Sequence, residues 1–387
     1  MRLVVMFENF GPYHVARFDA VLRQAKQEGF EVLGLETLDA YLKYPWTSLA
    51  PASRGNIITL FPGGNRRHPP LPLLGYRVIK SLTALSPDAV AIWGYRYAAP
   101  LAALAWAKAK GKIAVLMSDS SYGDKKRYWL LEWGKSRIVR QFDAALVAGA
   151  RQKAYAESLG LARERIFLGY DVVDNAYFAE CALAVHRQAR DYRRRLELPK
   201  PFFLTVCRFI PKKNLAGLVE TYRHYRDLAG AGAWDLVLCG SGPLEPALKR
   251  QARDLQGVYF PGFQQIGELP MYYGLAAVFI LPSTHFEQWG LVVNEAMASG
   301  LPVLVSRACG CASELVQEGV NGFTFDPLDR EGLARLMLKM SSQEADLKAM
   351  GEASQRIIAD WSPEVFARNL FKAVQVADDY RRGYSPG

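Results

Sequence analysis

Short apolar runs alternate with longer amphipathic segments along most of the chain. In the first half, strands are predicted at residues 3–7, 31–35, 57–61, 89–93, 113–117 and 144–147. Between the first two strands, residues 14–28 repeat apolar side chains at helical spacing. Strands that alternate with helices indicate βαβ units and therefore a parallel sheet.

The second half repeats this pattern, with strands predicted at residues 202–207, 235–239, 258–260, 278–281 and 303–305. Because 387 residues exceed one ordinary domain, we predict an α/β protein with two doubly wound domains. The first domain covers 1–170, a linker covers 171–198, and the second domain covers 199–362. A last amphipathic helix begins after Pro363 and continues to about Arg381. Ligands are expected in a cleft lined by the carboxyl ends of both sheets.

The composition narrows the class of protein. The chain is 50% hydrophobic and 22% charged, which excludes wholesale disorder. No stretch reaches the roughly 18 uninterrupted apolar residues of a membrane span, and the N-terminus has the character of a first core strand, not of a secretion signal. Five cysteines without a signal peptide predict free thiols in a reducing cytosol. We predict no metal site, because Cys309 and Cys311 lack zinc-site spacing.

The positive charge is concentrated in the first half. The net charge is +10, and residues 1–180 alone carry 24 basic against 16 acidic residues, a net of +8. This asymmetry indicates an anionic partner. Residues 125–140 mix cations with Trp129 and Trp133, which suits a helix on an anionic bilayer; a helix that packs one side on the sheet is the alternative. Nucleic acid is not expected, because no recognition motif accompanies the charge.

One segment combines two carboxylates with a helix N-terminus. Glu287 lies in the loop after a strand that ends at Leu281, and a helix starts near Gly290. Glu295 follows on that helix among apolar neighbours, where a carboxylate requires a partner such as a diol. The amides of Gly290 and Leu291 at the helix N-terminus favour a phosphate. The alternative is that Glu287 lies on an exposed loop and Glu295 binds a backbone group.

A basic loop follows the first strand of the second half. Arg208 and Lys213 are five residues apart there, before a helix for which Asn214 is a candidate N-cap. A guanidinium and an ammonium together suit a diphosphate, although an ordinary basic surface loop is the alternative. Residues 240–243 (Gly-Ser-Gly-Pro) and 261–263 (Pro-Gly-Phe) follow the next two strands; their glycines either let the backbone approach a ligand or only turn the chain.

Taken in order, these motifs resemble the retaining GT-B glycosyltransferases of the large family 4. The resemblance covers about residues 198–380, whereas the N-terminal half resembles the family in architecture alone. It implies that Arg208 and Lys213 hold the diphosphate of a nucleotide-sugar donor, and that a helix at 363–387 packs back on the N-terminal domain. It further implies that Glu287 contacts the sugar and Glu295 binds the ribose. The other donor-binding residues that it implies are Gly11, Gly240, Ser241, Gly242, Phe263, Trp289, Gly290 and Leu291.

The N-terminal half departs from the family pattern at one place. Many relatives carry a histidine near the reacting carbon, after the strand equivalent to residues 113–117, where this chain has Asp119. Asp119 either orients or deprotonates the acceptor hydroxyl or caps the following helix. In the first loop, Gly11 permits a close turn and Pro12 suits a first helical turn. His14 is a further candidate there, with capping or packing as the alternative.

The resulting hypothesis is a retaining, hexosyltransferase-like enzyme that is independent of metal and cofactor. It moves a sugar from a nucleotide-diphosphate sugar, with a UDP-sugar slightly favoured, to an unidentified acceptor such as a lipid-linked or cell-surface polysaccharide precursor. The alternatives are a sugar-nucleotide epimerase or hydrolase of the same fold and a non-catalytic nucleotide-sugar-binding protein. We predict a cytoplasmic enzyme that binds peripherally to the anionic inner face of the membrane.

Overall fold

The computed structural model describes residues 1–39, 55–63, 69–123, 128–198, 201–285, 287–342 and 344–383. The chain divides into two compact units. The first unit joins Met1–Val173 to Trp361–Gly387, and the second unit is Asp174–Asp360. In the described residues, none of the helices combines the length and the apolar character needed to span a bilayer.

In the described part of the first unit, parallel strands form one sheet in the order β3-β2-β1-β4-β5-β6-β7. The strands are β1 Arg2–Phe7, β2 Glu31–Leu38, β3 Ile57–Phe61, β4 Ala89–Trp93, β5 Ile113–Ser118, β6 Ala144–Val147 and β7 Ile166–Leu168. The helices are α1 Pro12–Glu28, α2 Leu71–Leu85, α3 Ala98–Ala109, α4 Trp129–Val139, α5 Ala150–Ser158 and α15 Pro363–Arg381. The predicted parallel α/β architecture is therefore confirmed.

Two apolar layers cover the two faces of this sheet. Strand β1 is buried on both sides, since Leu3, Val5 and Phe7 contribute to one layer and Val4 and Met6 to the other. Helices α1 and α15 pack in the first layer, whereas α2 and α3 pack in the second. Burial on both faces explains why the strands are continuously apolar instead of alternating.

Helix α15 begins where the sequence pattern predicts it. The Ser362 side chain accepts a hydrogen bond from the Val365 amide at 3.4 Å, and Pro363 occupies the first helical turn. Phe366, Leu370 and Val374 are then buried at helical spacing. The helix therefore belongs to the same compact unit as α1, against which it packs.

The second unit has a parallel sheet in the order β10-β9-β8-β11-β12-β13, again within the described residues. Its strands are β8 Phe202–Val206, β9 Asp235–Cys239, β10 Val258–Gly262, β11 Val278–Leu281, β12 Val303–Ser306 and β13 Gly322–Phe325. The helices are α6 Asn175–Arg187, α7 Ala189–Arg195, α8 Leu215–Ala229, α9 Glu245–Gln251, α10 Leu269–Leu275, α11 Leu291–Ala298, α12 Ala312–Leu315, α13 Arg330–Ser341 and α14 Leu347–Ile358. This strand order is that of a doubly wound dinucleotide-binding sheet.

The predicted linker at 171–198 is wrong, because most of it folds as α6 and α7 of the second unit. Asp174 caps α6 by accepting a hydrogen bond from the Tyr177 amide at 3.0 Å. Helix α6 then packs on α10, and the Tyr177 hydroxyl donates to the Ile266 carbonyl at 3.2 Å. The charged run after Arg187 hid the apolar face of α6 from the sequence pattern. The units consequently divide at 173/174 and 360/361, not at the predicted boundaries.

Candidate active site

The strand order of the second unit reverses between β8 and β11. Strands β9 and β10 lie on one side of β8, and β12 and β13 continue beyond β11. In doubly wound sheets, ligands bind beyond the carboxyl ends of the strands at such a reversal. The loop after β8 carries Arg208 and Lys213, and the loop after β11 carries Glu287. Two motifs that are distant in sequence therefore meet where this fold binds ligands.

Lys213 and Glu287 form an ion pair at this position. The Lys213 Nζ lies 2.6 Å from Glu287 Oε2, and the two side chains retain only 10% and 13% of their exposure. Lys212 Nζ lies 3.5 Å from Oε1, and the Ser283 hydroxyl donates to Oε2 at 3.1 Å. Glu287 is thus not on an exposed loop, which was the alternative left open by the sequence. Lys212, which the sequence pattern does not single out, also contacts Glu287.

The two groups hold each other in the charged form. Burial alone would raise the pKa of Glu287, but Lys213, Lys212 and Ser283 lower it below its ordinary value. Burial alone would likewise lower the pKa of Lys213, but the Glu287 carboxylate raises it. The charged ammonium of Lys213 therefore lies beyond the carboxyl end of β8, a position from which it can bind a phosphate.

The loop before α8 holds Lys213 in place by an unpredicted arrangement. Residues Pro211–Lys213 form a 3₁₀ turn, and Asn214 follows with a φ of +52°. The Asn214 side chain does not cap α8 as predicted; its amide donates to the Pro327 carbonyl at 3.0 Å instead. Arg208 is exposed on the same loop, two residues beyond β8.

Glu295 lies on α11 and is completely buried. The Tyr273 hydroxyl, from α10, donates to Glu295 Oε2 at 2.7 Å. Sequence reasoning missed Tyr273, because the two residues lie on different helices 22 positions apart. The buried carboxylate therefore has a protein partner, and its contact with a ribose stays a prediction.

Gly290 and Leu291 lie at the N-terminus of α11, as predicted. Gly290 adopts a φ of +113°, and a Cβ at this position would lie 2.9 Å from Leu281 Cδ2, so a glycine is required. Trp289, in contrast, is 2% exposed, and its indole nitrogen donates to Asn294 Oδ1 at 2.9 Å. The Trp289 ring is thus a core side chain, and the predicted contact of Trp289 with the donor stays a prediction.

The Cys309-Gly310-Cys311 segment forms backbone hydrogen bonds with the loop that carries Glu287. The Gly310 amide donates to the Glu287 carbonyl at 2.8 Å, and the Cys311 amide donates to the Trp289 carbonyl at 3.2 Å. Neither cysteine forms a disulfide with another described residue, both are buried, and burial raises the pKa of the Cys309 thiol to about 12. These thiols are therefore structural in this site, a role that no sequence motif indicates.

The glycine loop at 240–242 lies at the same edge of the sheet. A Cβ at Gly240, whose φ is +140°, would collide with the Cys207 carbonyl oxygen. The Ser241 carbonyl accepts a hydrogen bond from the Phe209 amide at 2.8 Å, and Gly242 is also close to Phe209. Phe263 is half-buried after β10. Close packing of the loops after β8 and β9 explains Gly240 without a ligand, and the donor-binding roles of this loop stay predictions.

In the first unit, Asp119 follows β5 and is partly buried. Helix α4 begins only at Trp129, with Tyr128 as its N-cap residue, so Asp119 does not cap the following helix. Its negative charge instead acts on Asp171. The capping alternative is therefore wrong, and the role of Asp119 toward an acceptor stays a prediction.

In the first loop, Gly11 differs from its prediction, whereas His14 takes the packing role that the sequence left open as an alternative. Gly11 is buried with a φ of −71°, a conformation open to any residue, so the close turn does not require a glycine. The His14 ring stacks on Phe7, with centroids 4.2 Å apart. Burial and the nearby Arg17 lower the pKa of His14 to about 3, although a carbonyl hydrogen bond at Asn9 opposes them. His14 is consequently a neutral packing residue at physiological pH.

A buried ion pair near Asp119 was missed by the sequence analysis. Arg17, on the inner face of α1, lies 3.4 Å from Asp171 Oδ1 and donates to the Val172 carbonyl at 3.1 Å. Burial raises the pKa of Asp171 to about 7; Arg17 opposes this shift and Asp119 adds to it. The only indication in the sequence was that an arginine occupies a buried position of an amphipathic helix.

Comparison with known proteins shows which proteins this chain resembles. Residues 187–357 match the model of the family described as glycosyl transferases group 1. Through this segment, the chain is similar to the glycosyl transferases group 1 family. It is therefore a glycosyltransferase, as predicted, in preference to the epimerase, hydrolase and binding-protein alternatives.

Named relatives of this glycosyltransferase also transfer sugars. The GDP-mannose-dependent alpha-(1-6)-phosphatidylinositol monomannoside mannosyltransferase of Mycobacterium tuberculosis is 27% identical over 299 residues, covering 73% of this chain and 75% of that protein. Sulfoquinovosyl transferase SQD2 of Arabidopsis thaliana is 28% identical over 371 residues, covering 89% of this chain and 67% of that protein.

A solved structure shares the fold of this glycosyltransferase. Anabaena HepE in complex with UDP and glucose superposes with a TM-score of 0.72 at 16% identity, covering 97% of this chain and 99% of that chain. Likeness at this level of identity concerns the fold, and it confirms the predicted GT-B class.

Proposed function

We propose that this glycosyltransferase moves a sugar from a nucleotide-diphosphate donor to an acceptor hydroxyl, with retention of configuration at the anomeric carbon. The observation that carries the proposal is the Lys213–Glu287 pair at the reversal of the second sheet. The names of similar proteins support the donor class, since one is called GDP-mannose-dependent and the HepE structure contains UDP and glucose. A UDP-sugar is the first donor to test.

The donor diphosphate is proposed to bind Lys213 and Arg208. An ammonium has three hydrogens, so Lys213 can keep its 2.6 Å contact with Glu287 while it donates to a phosphate oxygen. Arg208 extends from the same loop and offers a planar fork to a second oxygen. The amides of Gly290 and Leu291, at the start of α11, add the positive end of a helix.

The sugar and the ribose are proposed to bind the two glutamates. Glu287 is kept ionised by its lysines, and a carboxylate has enough lone pairs to accept from sugar hydroxyls as well. Glu295 is proposed to accept from the ribose diol, with Tyr273 orienting its carboxylate. Gly240, Ser241, Gly242 and Phe263 would then lie along the donor.

The bond between the anomeric carbon and the β-phosphate oxygen breaks while the acceptor oxygen bonds the same carbon from the same face. The acceptor proton passes to the departing phosphate oxygen, so that the products are the glycoside and the nucleoside diphosphate. Negative charge grows on the β-phosphate during this step, and preorganised Lys213 and Arg208 stabilise it there. We propose that these side chains take the place of a metal ion.

Asp119 is proposed to orient the acceptor hydroxyl. Asp119 follows the end of β5 in the first unit. Its charge interacts with Asp171, which forms a buried ion pair with Arg17. His14 is not proposed as the base, because its lowered pKa makes it a poor proton acceptor at neutral pH.

A lipid-linked acceptor at an anionic membrane is proposed from the surface of the first unit. Trp129 and Trp133 on α4 are 77% and 58% exposed, and Tyr76 and Ile79 on α2 are also exposed. Aromatic and aliphatic side chains of this kind, on a half with a net charge of +8, suit headgroup depth in an anionic bilayer. Lys125, Lys126 and Arg127 lie outside the described residues.

Incubation with radiolabelled donors tests the proposed function. Labelled sugar should appear in an organic-soluble or polymeric product when membranes are supplied as acceptor, with one nucleoside diphosphate released per transfer. Release of nucleotide without transfer, at an unchanged rate when acceptor is added, would instead indicate a hydrolase.

A further inference from the structure

The turn between α6 and α7 forms a cavity that the proposed reaction does not use. Helix α6 ends at Arg187 and α7 begins at Ala189, with Gln188 between them outside helical geometry (φ −115°, ψ 25°). The open cavity at this break has a volume of about 710 Å³ and is lined by Arg187, Gln188, Arg190, Asp191 and Arg194. This volume lies in the range of sites for small molecules.

The cavity concentrates positive charge. Residues 186–195 contain five arginines and one aspartate, a net charge of +4. All of 181–387 contains 24 basic and 22 acidic residues, a net of +2, so the rest of that part is slightly acidic. The excess of arginine is therefore local to this turn and does not reflect a generally basic surface.

The carboxylate in the lining does not neutralise the three arginines. Asp191 Oδ1 lies 2.6 Å from the Arg194 guanidinium. Among the described residues, no ion pair involves Arg187 or Arg190, and both side chains are exposed. Arg187, at the end of α6, and Arg190 and Arg194, on α7, nevertheless line the same cavity. The guanidiniums of Arg187 and Arg190 can therefore bind an anionic ligand.

The backbone that carries these arginines is held by the core of the unit. Arg193, on α7, donates to the Leu275 carbonyl at 2.9 Å and to the Leu198 carbonyl at 3.3 Å. Its guanidinium also lies 5.9 Å from the centroid of the Phe202 ring. Helices α6 and α7 both pack against α10. A preformed backbone lowers the entropic cost of binding, since only the exposed side chains lose conformational freedom when a ligand binds.

We propose that this cavity, which we call the α6–α7 arginine pocket, binds a ligand with clustered phosphate groups at a site separate from the Lys213–Glu287 pair. Guanidiniums recognise phosphate through paired hydrogen bonds, and a cavity with net positive charge selects an anion with several charges. The phosphates belong either to a lipid headgroup or to a free phosphorylated metabolite, because both present the same groups.

Isothermal titration with inorganic tripolyphosphate tests the pocket in the full chain. A background with both Lys213→Ala and Arg208→Ala removes the two proposed diphosphate side chains from the measurement, so that the result does not depend on the proposed function. In that background, Arg187→Ala with Arg190→Ala should weaken tripolyphosphate binding about tenfold or more, because two charge-assisted contacts are lost. The control is Arg330→Ala with Arg335→Ala, which removes the same charge from exposed positions on α13 of the same unit.

The outcomes distinguish binding at the α6–α7 arginine pocket from non-specific electrostatic binding to the protein surface. A loss confined to the pocket variant supports the proposal; equal affinities of the pocket variant and its parent, or equal losses in pocket and control variants, overturn it. With Lys213 and Arg208 intact, the pocket variant should keep its basal transfer rate. Vesicles containing phosphatidic acid then identify the source: loss of vesicle binding together with tripolyphosphate binding assigns a headgroup, and retained vesicle binding assigns a soluble ligand.

Discussion

Substitutions at the Lys213–Glu287 pair should affect stability unequally. Removing one partner of a buried ion pair costs roughly 3–5 kcal/mol. Residual exposure of 10% and 13% screens this pair slightly, so we expect about 2–3 kcal/mol for Glu287→Ala, which leaves Lys213 and Lys212 without their shared carboxylate. Lys213→Ala should cost less, about 1–2 kcal/mol, because Lys212 at 3.5 Å and Ser283 at 3.1 Å still satisfy Glu287.

Urea denaturation of the wild type, the two single variants and the double variant measures these values. The double variant should be more stable than the sum of the single losses predicts, by about 1–2 kcal/mol, since the pair is removed as a unit. Equal losses for both single variants, or a coupling near zero, would refute the asymmetry derived from Lys212 and Ser283.

The contribution of the Lys213–Glu287 pair to the free energy of unfolding should depend on pH in a predictable direction. The pKa of Glu287 is lowered in the folded state, so its contribution is present above the ordinary value of 4.5 and is lost as pH falls through the lowered value. The pKa of Lys213 is raised, so its contribution is present below 10.5 and is lost as pH rises through the raised value. The stability difference between wild type and Glu287→Gln should therefore be flat near neutrality and shrink in acid. A difference that grows in acid would contradict the pairing.

Four further outcomes are expected. Glu295→Ala should weaken donor binding by about 1–3 kcal/mol, whereas Tyr273→Phe should weaken it less; unchanged affinity in a folded Glu295 variant removes the ribose assignment. Arg208→Ala, at an exposed position, should lower kcat about 100–1,000-fold with little change in Tm, and near-normal turnover would exclude it from the reaction. Activity should survive EDTA; a loss that added metal restores would contradict the proposal. Binding to anionic vesicles should fall at high salt and in Trp129→Ser with Trp133→Ser, and indifference to anionic vesicles would favour a soluble acceptor.

The alternation of strands and helices was predictable because buried parallel strands are continuously apolar. The pattern placed β3, β4 and β6 at their observed ends, and it placed the start of α15 correctly. It missed β7 and β13, which lie at the edges of the two sheets and are only partly buried, so that neither forms a continuously buried apolar run. It also assigned α6 to a linker, because the composition around Arg187 is highly charged. In the structure, α6 nevertheless packs on α10 as part of the second unit.

The candidate site was predictable in its residue types but not in its pairings. The motifs identified Lys213 and Glu287, yet their contact joins residues 74 positions apart and depends on the adjacency of β8 and β11. Tyr273 and Arg17 were missed for the same reason: each becomes a partner of a carboxylate only through tertiary structure. Local sequence patterns therefore indicate candidate side chains, whereas the order of the strands in the sheet determines which of them are in contact.

The central claim is retaining transfer from a nucleotide sugar, supported by Lys213 and Glu287. The most direct measurement is NMR of the glycoside formed from an α-linked UDP- or GDP-sugar, in which the one-bond coupling between C1 and H1 assigns the anomer as the reaction proceeds. An α-glycoside as the first product, formed together with one equivalent of nucleoside diphosphate and nearly abolished in Lys213→Ala, is the predicted result. A β-glycoside as the first product, or full activity in the Lys213 variant, would contradict the account.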